Sequence, residues 1–261
     1  MAEVVILDGR QAAGELVADA IARLIAAEPA AVLGLATGST PLSTYEALAR
    51  RIRNEGLDVS GVRGFALDEY VGLPVSHPES YHSVIHREVT EPLGLNPDHV
   101  HVPDGGIDGI AVAGEDYEAM IVEAGGIDLQ ILGIGTTGHI GFNEPGSSFA
   151  STTRWKTLTE QTRLDNARFF DSLDEVPTHC ITQGLGTILR ARHLVLLAFG
   201  EGKAEAIAGA VEGPVTASLP ASAIQLHPHV TVVVDDAAAS ALEHADYYRR
   251  AWALRFPEVP L

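Results

Sequence analysis

Along the chain, short unbroken apolar runs alternate with longer stretches in which apolar residues return every three to four positions. The runs at 4–7, 31–36, 65–67, 129–134, 193–199 and 230–234 are rich in Val, Ile and Leu. They lack the polar alternation of a half-exposed sheet, so they predict strands buried on both faces. The stretches at 9–27, 41–53, 81–93, 110–124, 203–211 and 237–245 carry the helical period. This alternation predicts an α/β fold with a doubly wound, mostly parallel sheet and helices on both faces. The glycine-rich patch at 105–109 reads as a loop, and no repeat or Pro/Ser linker interrupts the pattern. Residues 1–261 are therefore expected to form a single domain. In such sheets ligands sit beyond the C-terminal ends of the strands, so the residues just after each run are where chemistry is sought.

Composition narrows the classes. Of 261 residues, 46% are hydrophobic and 20% charged, enough apolar side chain to exclude a disordered chain. Lys plus Arg number 17 and Asp plus Glu 35, a net charge of −18. That field repels nucleic acid and anionic lipid, so neither is expected as a partner. An anionic ligand would need a few local cations and backbone amides to hold it. The one cysteine, Cys180, has no partner for a disulfide or a zinc site and is expected as a quiet thiol in a reducing compartment. The first eight residues carry early acids and only four consecutive apolar positions, unlike a signal peptide or a membrane span. A soluble cytoplasmic protein is the expectation.

Four segments after predicted strands carry chemistry. Thr37-Gly38-Ser39-Thr40-Pro41 places small residues and a helix-starting proline after the second strand. This suits backbone N–H groups approaching an oxyanion, and equally suits a plain capped helix. Leu67-Asp68-Glu69-Tyr70 sets two acids after the third, where a proton-transferring carboxylate or a turn-capping acid would sit. The segment from Gly133 to Pro145 has four glycines in nine residues, then delivers His139 and, five positions on, Glu144. A group titrating near neutrality is thereby paired with a carboxylate able to bias it. Finally, the chain holds fifteen arginines but only two lysines, Lys156 and Lys203, the latter opening a helix after a strand. The pairs His82 with His86, His99 with His101, and His227 with His229 have no cysteine cluster beside them and read as surface histidines, so no metal site is expected.

Jointly these segments resemble the glucosamine-6-phosphate deaminase family and its galactosamine-6-phosphate relatives over nearly the full length. The resemblance rests on Thr37-Gly38-Ser39-Thr40-Pro41, Leu67-Asp68-Glu69-Tyr70-Val71-Gly72-Leu73-Pro74, Gly138-His139-Ile140-Gly141-Phe142-Asn143-Glu144-Pro145, Asn166-Ala167-Arg168-Phe169-Phe170, Gly202-Lys203 and Leu226-His227-Pro228. The 6-phosphogluconolactonases share the fold and a related Gly-His loop, but typically lack the Phe142-Asn143-Glu144-Pro145 continuation. The resemblance implies a modified Rossmann-like fold and a sugar-phosphate substrate. Its phosphate would be held by Thr37, Gly38, Ser39, Thr40, Arg168 and Lys203. His139, oriented by Glu144, would open the ring, and Asp68 would move a proton from C2 to C1. No metal or organic cofactor is implied.

One position departs. The family usually has aspartate before the Gly-His pair, where this chain has Thr137, whose hydroxyl can hydrogen-bond but carries no charge. The alternatives kept beside glucosamine-6-phosphate deamination are the galacto epimer, lactone hydrolysis, and a sugar-phosphate binder weakened in catalysis by Thr137. The family also implies an allosteric pocket for an N-acetylated sugar phosphate, matched here by Ser147, Ser148, Arg154 and Lys156. Some relatives are hexamers and some monomers, so the resemblance allows a homo-oligomer and a monomer alike.

Overall fold

The computed structural model describes residues 2–256. Its main sheet has seven strands, all parallel. These are β1 (Glu3–Leu7), β2 (Val32–Leu35), β3 (Arg63–Ala66), β5 (Val100–His101), β6 (Leu129–Gly133), β9 (His193–Ala198) and β10 (Val230–Asp235). Their order across the sheet is β1-β10-β9-β6-β2-β3-β5. Every residue of β2 and β9 is buried, which demands cover on both faces. Six strands coincide with the six apolar runs. The seventh, β5, is a two-residue edge too short to show in a pattern.

The helices are α1 (Arg10–Ala27), α2 (Leu42–Glu55), α3 (Tyr81–Ile85), α4 (Glu91–Leu93), α5 (Ile110–Glu123), α6 (Glu160–Asn166), α7 (Leu185–Ile188), α8 (Ala204–Val211) and α9 (Ala245–Ala253). A π turn, His86–Thr90, joins α3 to α4, so the periodic stretch at 81–93 is helical throughout but not uniformly wound. The helix expected at 237–245 is corrected. That segment is mostly turns, and α9 begins only at Ala245. The alanine-rich sequence has helical propensity. The Asp235 carboxylate, however, accepts from the N–H groups of both Ala238 and Gly200, and ties the chain into a turn.

A second, three-stranded antiparallel sheet went unseen in the sequence: β4 (Asp68–Tyr70), β8 (His179–Thr182) and β7 (Arg154–Thr157), with β8 in the middle. The chain passes from β3 to β4 across Leu67 alone, leaving one sheet and joining the other. Asp68 is the first residue on the far side. Chain order reverses between β2 and β6, which place the connections of the sheet to opposite sides and open a crevice at their C-terminal ends.

Candidate active site

A cavity of about 670 Å³ lies at that crevice. Thr37, Gly38, Ser39, Thr40, Asp68, His139, Arg168 and Lys203 all line it. The loop after β2 is fixed by Tyr45 of α2, whose hydroxyl donates to the Ala36 carbonyl (2.9 Å) and accepts from the Ala36 N–H (3.1 Å). Among the described residues nothing accepts from the N–H groups of Gly38, Ser39 or Thr40. They stand at the start of α2, the ordinary setting for an oxyanion.

Asp68 is 6% exposed and accepts no hydrogen bond among the described residues. Burial, reinforced by the neighbouring Glu69 charge, raises its pKa to about 8. Glu69 points elsewhere. Its two oxygens accept from the N–H groups of Tyr70, Tyr81 and His82 at 2.7–2.9 Å, pinning the start of α3 to β4. The two adjacent acids thus separate cleanly, one anchored in the scaffold and one unpartnered at the cavity.

The loop after β6 folds His139 back over its own backbone. Gly135 donates to the His139 carbonyl (2.9 Å), and a Cβ on Gly135 would lie 2.0 Å from the imidazole. Gly138 turns the chain at φ +76°, with Leu219 filling the space a side chain would need. Behind His139 lie Thr137 and Glu144, neither of which lines the cavity. The Thr137 hydroxyl is 2.8 Å from His139 Nδ1 and donates to Glu144 Oε2 at 3.1 Å, while His139 Nδ1 and Glu144 Oε2 are 3.5 Å apart. Glu144 also accepts from Thr159 (3.1 Å) and Thr162 hydroxyls. Burial alone would raise its pKa; the bond and charge of His139, with the Thr162 and Thr137 hydroxyls, hold it instead at about 2. Asp68 and the histidine loop meet at Gly141, where a Cβ would lie 3.5 Å from Asp68 Oδ2.

Arg168 rides on a 3₁₀ turn after α6, with its guanidinium 4.7 Å from the Phe169 ring centroid. Lys203 stands immediately before α8, and burial, with Arg168 contributing, lowers its pKa. Sequence reasoning missed Arg10, Tyr70, Tyr81 and Phe170, which also line the cavity. The aromatic three form a wall, Tyr70 to Tyr81 at 4.9 Å and Tyr70 to Phe170 at 5.7 Å between ring centroids. The three histidine pairs lie outside the cavity lining, but the surface reading is corrected at His227, which is buried with Nε2 2.7 Å from the Ala191 carbonyl oxygen.

Ser147, Ser148, Arg154 and Lys156 form a separate group that does not line the cavity. Arg154 reaches the Ser147 hydroxyl at 3.5 Å, Ser148 is exposed, and Lys156 lies two residues along β7, on the same face as Arg154.

The switch point of this α/β sheet thus gathers a buried carboxylate and a braced histidine with cations that make no ion pair among the described residues, an arrangement that suits a small anionic ligand. The chain belongs to the family described as glucosamine-6-phosphate isomerases/6-phosphogluconolactonase, whose family model matches residues 8–233. Among its relatives is the glucosamine-6-phosphate deaminase of Bifidobacterium longum strain DJO10A, 63% identical over 97% of each chain. That of Streptomyces avermitilis is also 63% identical, over 96% of this chain and 97% of the other. A solved structure of a monomeric glucosamine-6-phosphate deaminase superposes with a TM-score of 0.89 at 41% identity, covering 92% of this chain and all of that one. The 6-phosphogluconolactonase of Thermotoga maritima, at 20% identity and TM-score 0.71, shares the fold. No helix among the described residues is long and apolar enough to cross a membrane.

Proposed function

We propose that this protein is an isomerising deaminase that converts glucosamine 6-phosphate and water to fructose 6-phosphate and ammonia, in the cytoplasm. The observation that carries the reading is the buried Asp68 carboxylate, without a hydrogen-bond partner among the described residues, in a cavity shared with His139 and with Arg168 and Lys203, which make no ion pair among the described residues. The relatives at 61–63% identity are named as deaminases, which favours this branch over lactone hydrolysis.

The phosphate sits on the Gly38, Ser39 and Thr40 amides between Arg168 and Lys203. His139 carries the O1 proton to the ring oxygen, opening the pyranose to an aldehyde at C1. Thr137 and Glu144 position the imidazole from behind. Asp68 takes the C2 proton while O1 is protonated, giving an enolamine, and returns that proton to C1. The product is a C2 ketimine, to which water adds before ammonia leaves. A base with a raised pKa suits removal of a weakly acidic carbon-bound proton.

The group of exposed Ser148, half-buried Arg154 and Lys156, and buried Ser147 gives an N-acetylated sugar phosphate a place to bind as an effector, at a contact between copies where the chain assembles. One assay tests the whole reading: ammonia release from the gluco and galacto substrates, with and without the N-acetylated sugar phosphate. Wild type should release ammonia, and Asp68→Asn should abolish it, losing at least the 10²–10⁴ typical of a general base. Wild-type protein that releases none from either substrate overturns the proposal.

A further inference from the structure

Four cations line the cavity: Arg10, Arg87, Arg168 and Lys203. Elsewhere among the described residues six arginines are paired with carboxylates, as in Arg23 with Asp19, Arg50 with Glu15, Arg190 with Glu118 and Arg192 with Asp128. Arg87 is of this kind, paired with Glu88 at 3.4 Å. Arg10, Arg168 and Lys203 have no ion-pair partner among the described residues, although the chain carries twice as many acids as bases. Unpaired cations that converge on one crevice in so acidic a protein mark where an anion sits.

Arg10 is the unexpected member. It is the first residue of α1, at the far edge strand β1, and nothing in its surrounding sequence marks it as functional. Helix packing brings it to the site. A Cβ on Gly14, one turn along α1, would lie 2.6 Å from the Ser43 carbonyl carbon, so the two helices touch there without an intervening side chain. The first turn of α1 is thereby set against the loop from Thr37 to Pro41. The Arg10 guanidinium lies over the Phe199 ring, 5.4 Å from its centroid, at the end of β9 and four residues before Lys203. An aromatic platform aims a guanidinium and spares it the full cost of ordering on binding.

We infer that Arg10 is a third cationic arm of the phosphate site, reaching the substrate's phosphate from the start of α1. This rests on the proposed sugar-phosphate reading. Charge makes each cation count. With Arg87 and Glu88 paired, Asp68, Glu79 and Asp165 also line the cavity, so without Arg10 only two cations would face three carboxyl groups and an incoming dianion.

The test compares wild type, Arg10→Ala and Arg10→Lys in two readouts. The first is the steady-state rate of ammonia release; the second is the affinity for inorganic phosphate, by calorimetry and as competitive inhibition. Arg10→Ala should raise KM about tenfold, with the smaller part of the loss in kcat, and weaken phosphate by a similar factor. Arg10→Lys should recover most of both, and the salt dependence of phosphate binding should become shallower in the alanine variant. Unchanged KM and phosphate affinity in Arg10→Ala would overturn the inference. So would a loss that appears only as lowered thermal stability and is not relieved by lysine. If wild type releases no ammonia, the deaminase reading fails, and the calorimetric arm still decides Arg10.

Discussion

Thr137 is the residue where chemistry and structure pull hardest on each other. Its hydroxyl has one proton and sits between two acceptable partners, His139 Nδ1 at 2.8 Å and Glu144 Oε2 at 3.1 Å. Glu144, held at about 2, stays an acceptor at any working pH, so the hydroxyl donates to it and takes the Nδ1 proton of His139 as its own incoming bond. That leaves Nε2 bare, the tautomer that can accept a proton from a sugar hydroxyl. Thr137→Val keeps the shape and deletes the relay, and is expected to lower kcat about ten- to a hundredfold with little change in KM. Thr137→Asp places a charge next to the imidazole and should raise kcat. An unchanged rate in both variants would show that the hydroxyl does not orient the ring. Position 137 looks unremarkable in sequence, a second threonine in a glycine loop, and only the resemblance flags it. Asp68, His139 and Lys203 were legible because each lies in the short segment that follows a buried strand of the main sheet, where a parallel sheet collects its ligands.

At the scale of elements, Asp68 and Glu69 divide β4 between function and support. Glu69 takes three backbone N–H groups and so fixes the angle between β4 and α3, which carries Tyr81 into the cavity wall. Glu69→Gln turns an amide donor toward one of those N–H groups and should cost about 1–3 kcal/mol in denaturant unfolding. Its neighbour should behave oppositely. Asp68→Asn removes a carboxylate that burial already disfavours, and should leave stability equal or higher while abolishing turnover. If both substitutions destabilise alike, the two acids share a structural role. This division was not readable in advance, because strands of three and four residues have no period to detect. β4 is buried at all three positions despite its two acids, and β7 alternates over only four. The long buried runs of the main sheet carried their own signature. Arg10 was hidden for a different reason: in an amphipathic stretch a lone exposed arginine is ordinary, and only the contact of α1 with α2 at Gly14 brings it to the crevice.

For the whole molecule, the same carboxylate sets stability and activity in opposition. Asp68, with a folded pKa of about 8, keeps its proton in the folded state and loses it on unfolding at any pH above roughly 4. The folded state then binds the extra proton, so stability falls as pH rises toward 8. His193 runs the other way. Its buried imidazole, stacked on His229 at 3.7 Å, is held at about 4 by burial and by the charges of His229 and His227, so it favours folding increasingly from pH 4 to its ordinary 6.5. Glu144, depressed to about 2, favours folding above its ordinary range and gives that up as pH drops toward 2. Between about 4 and 6.5 the Asp68 and His193 slopes oppose; above 6.5 Asp68 stands alone among these three. Unfolding free energy should therefore decline by up to about 2 kcal/mol between pH 6.5 and 8, at 1.36 kcal/mol per unit for one proton. The growing negative charge of a chain at −18 adds to the same trend. Over that interval kcat/KM should rise, because only the ionised Asp68 can accept the C2 proton. Thermal unfolding and kcat/KM measured across one pH series would meet this expectation as two curves crossing in opposite senses. Asp68→Asn should flatten the stability curve between 6.5 and 8, and a decline that persists unchanged in that variant would assign the loss to surface charge alone.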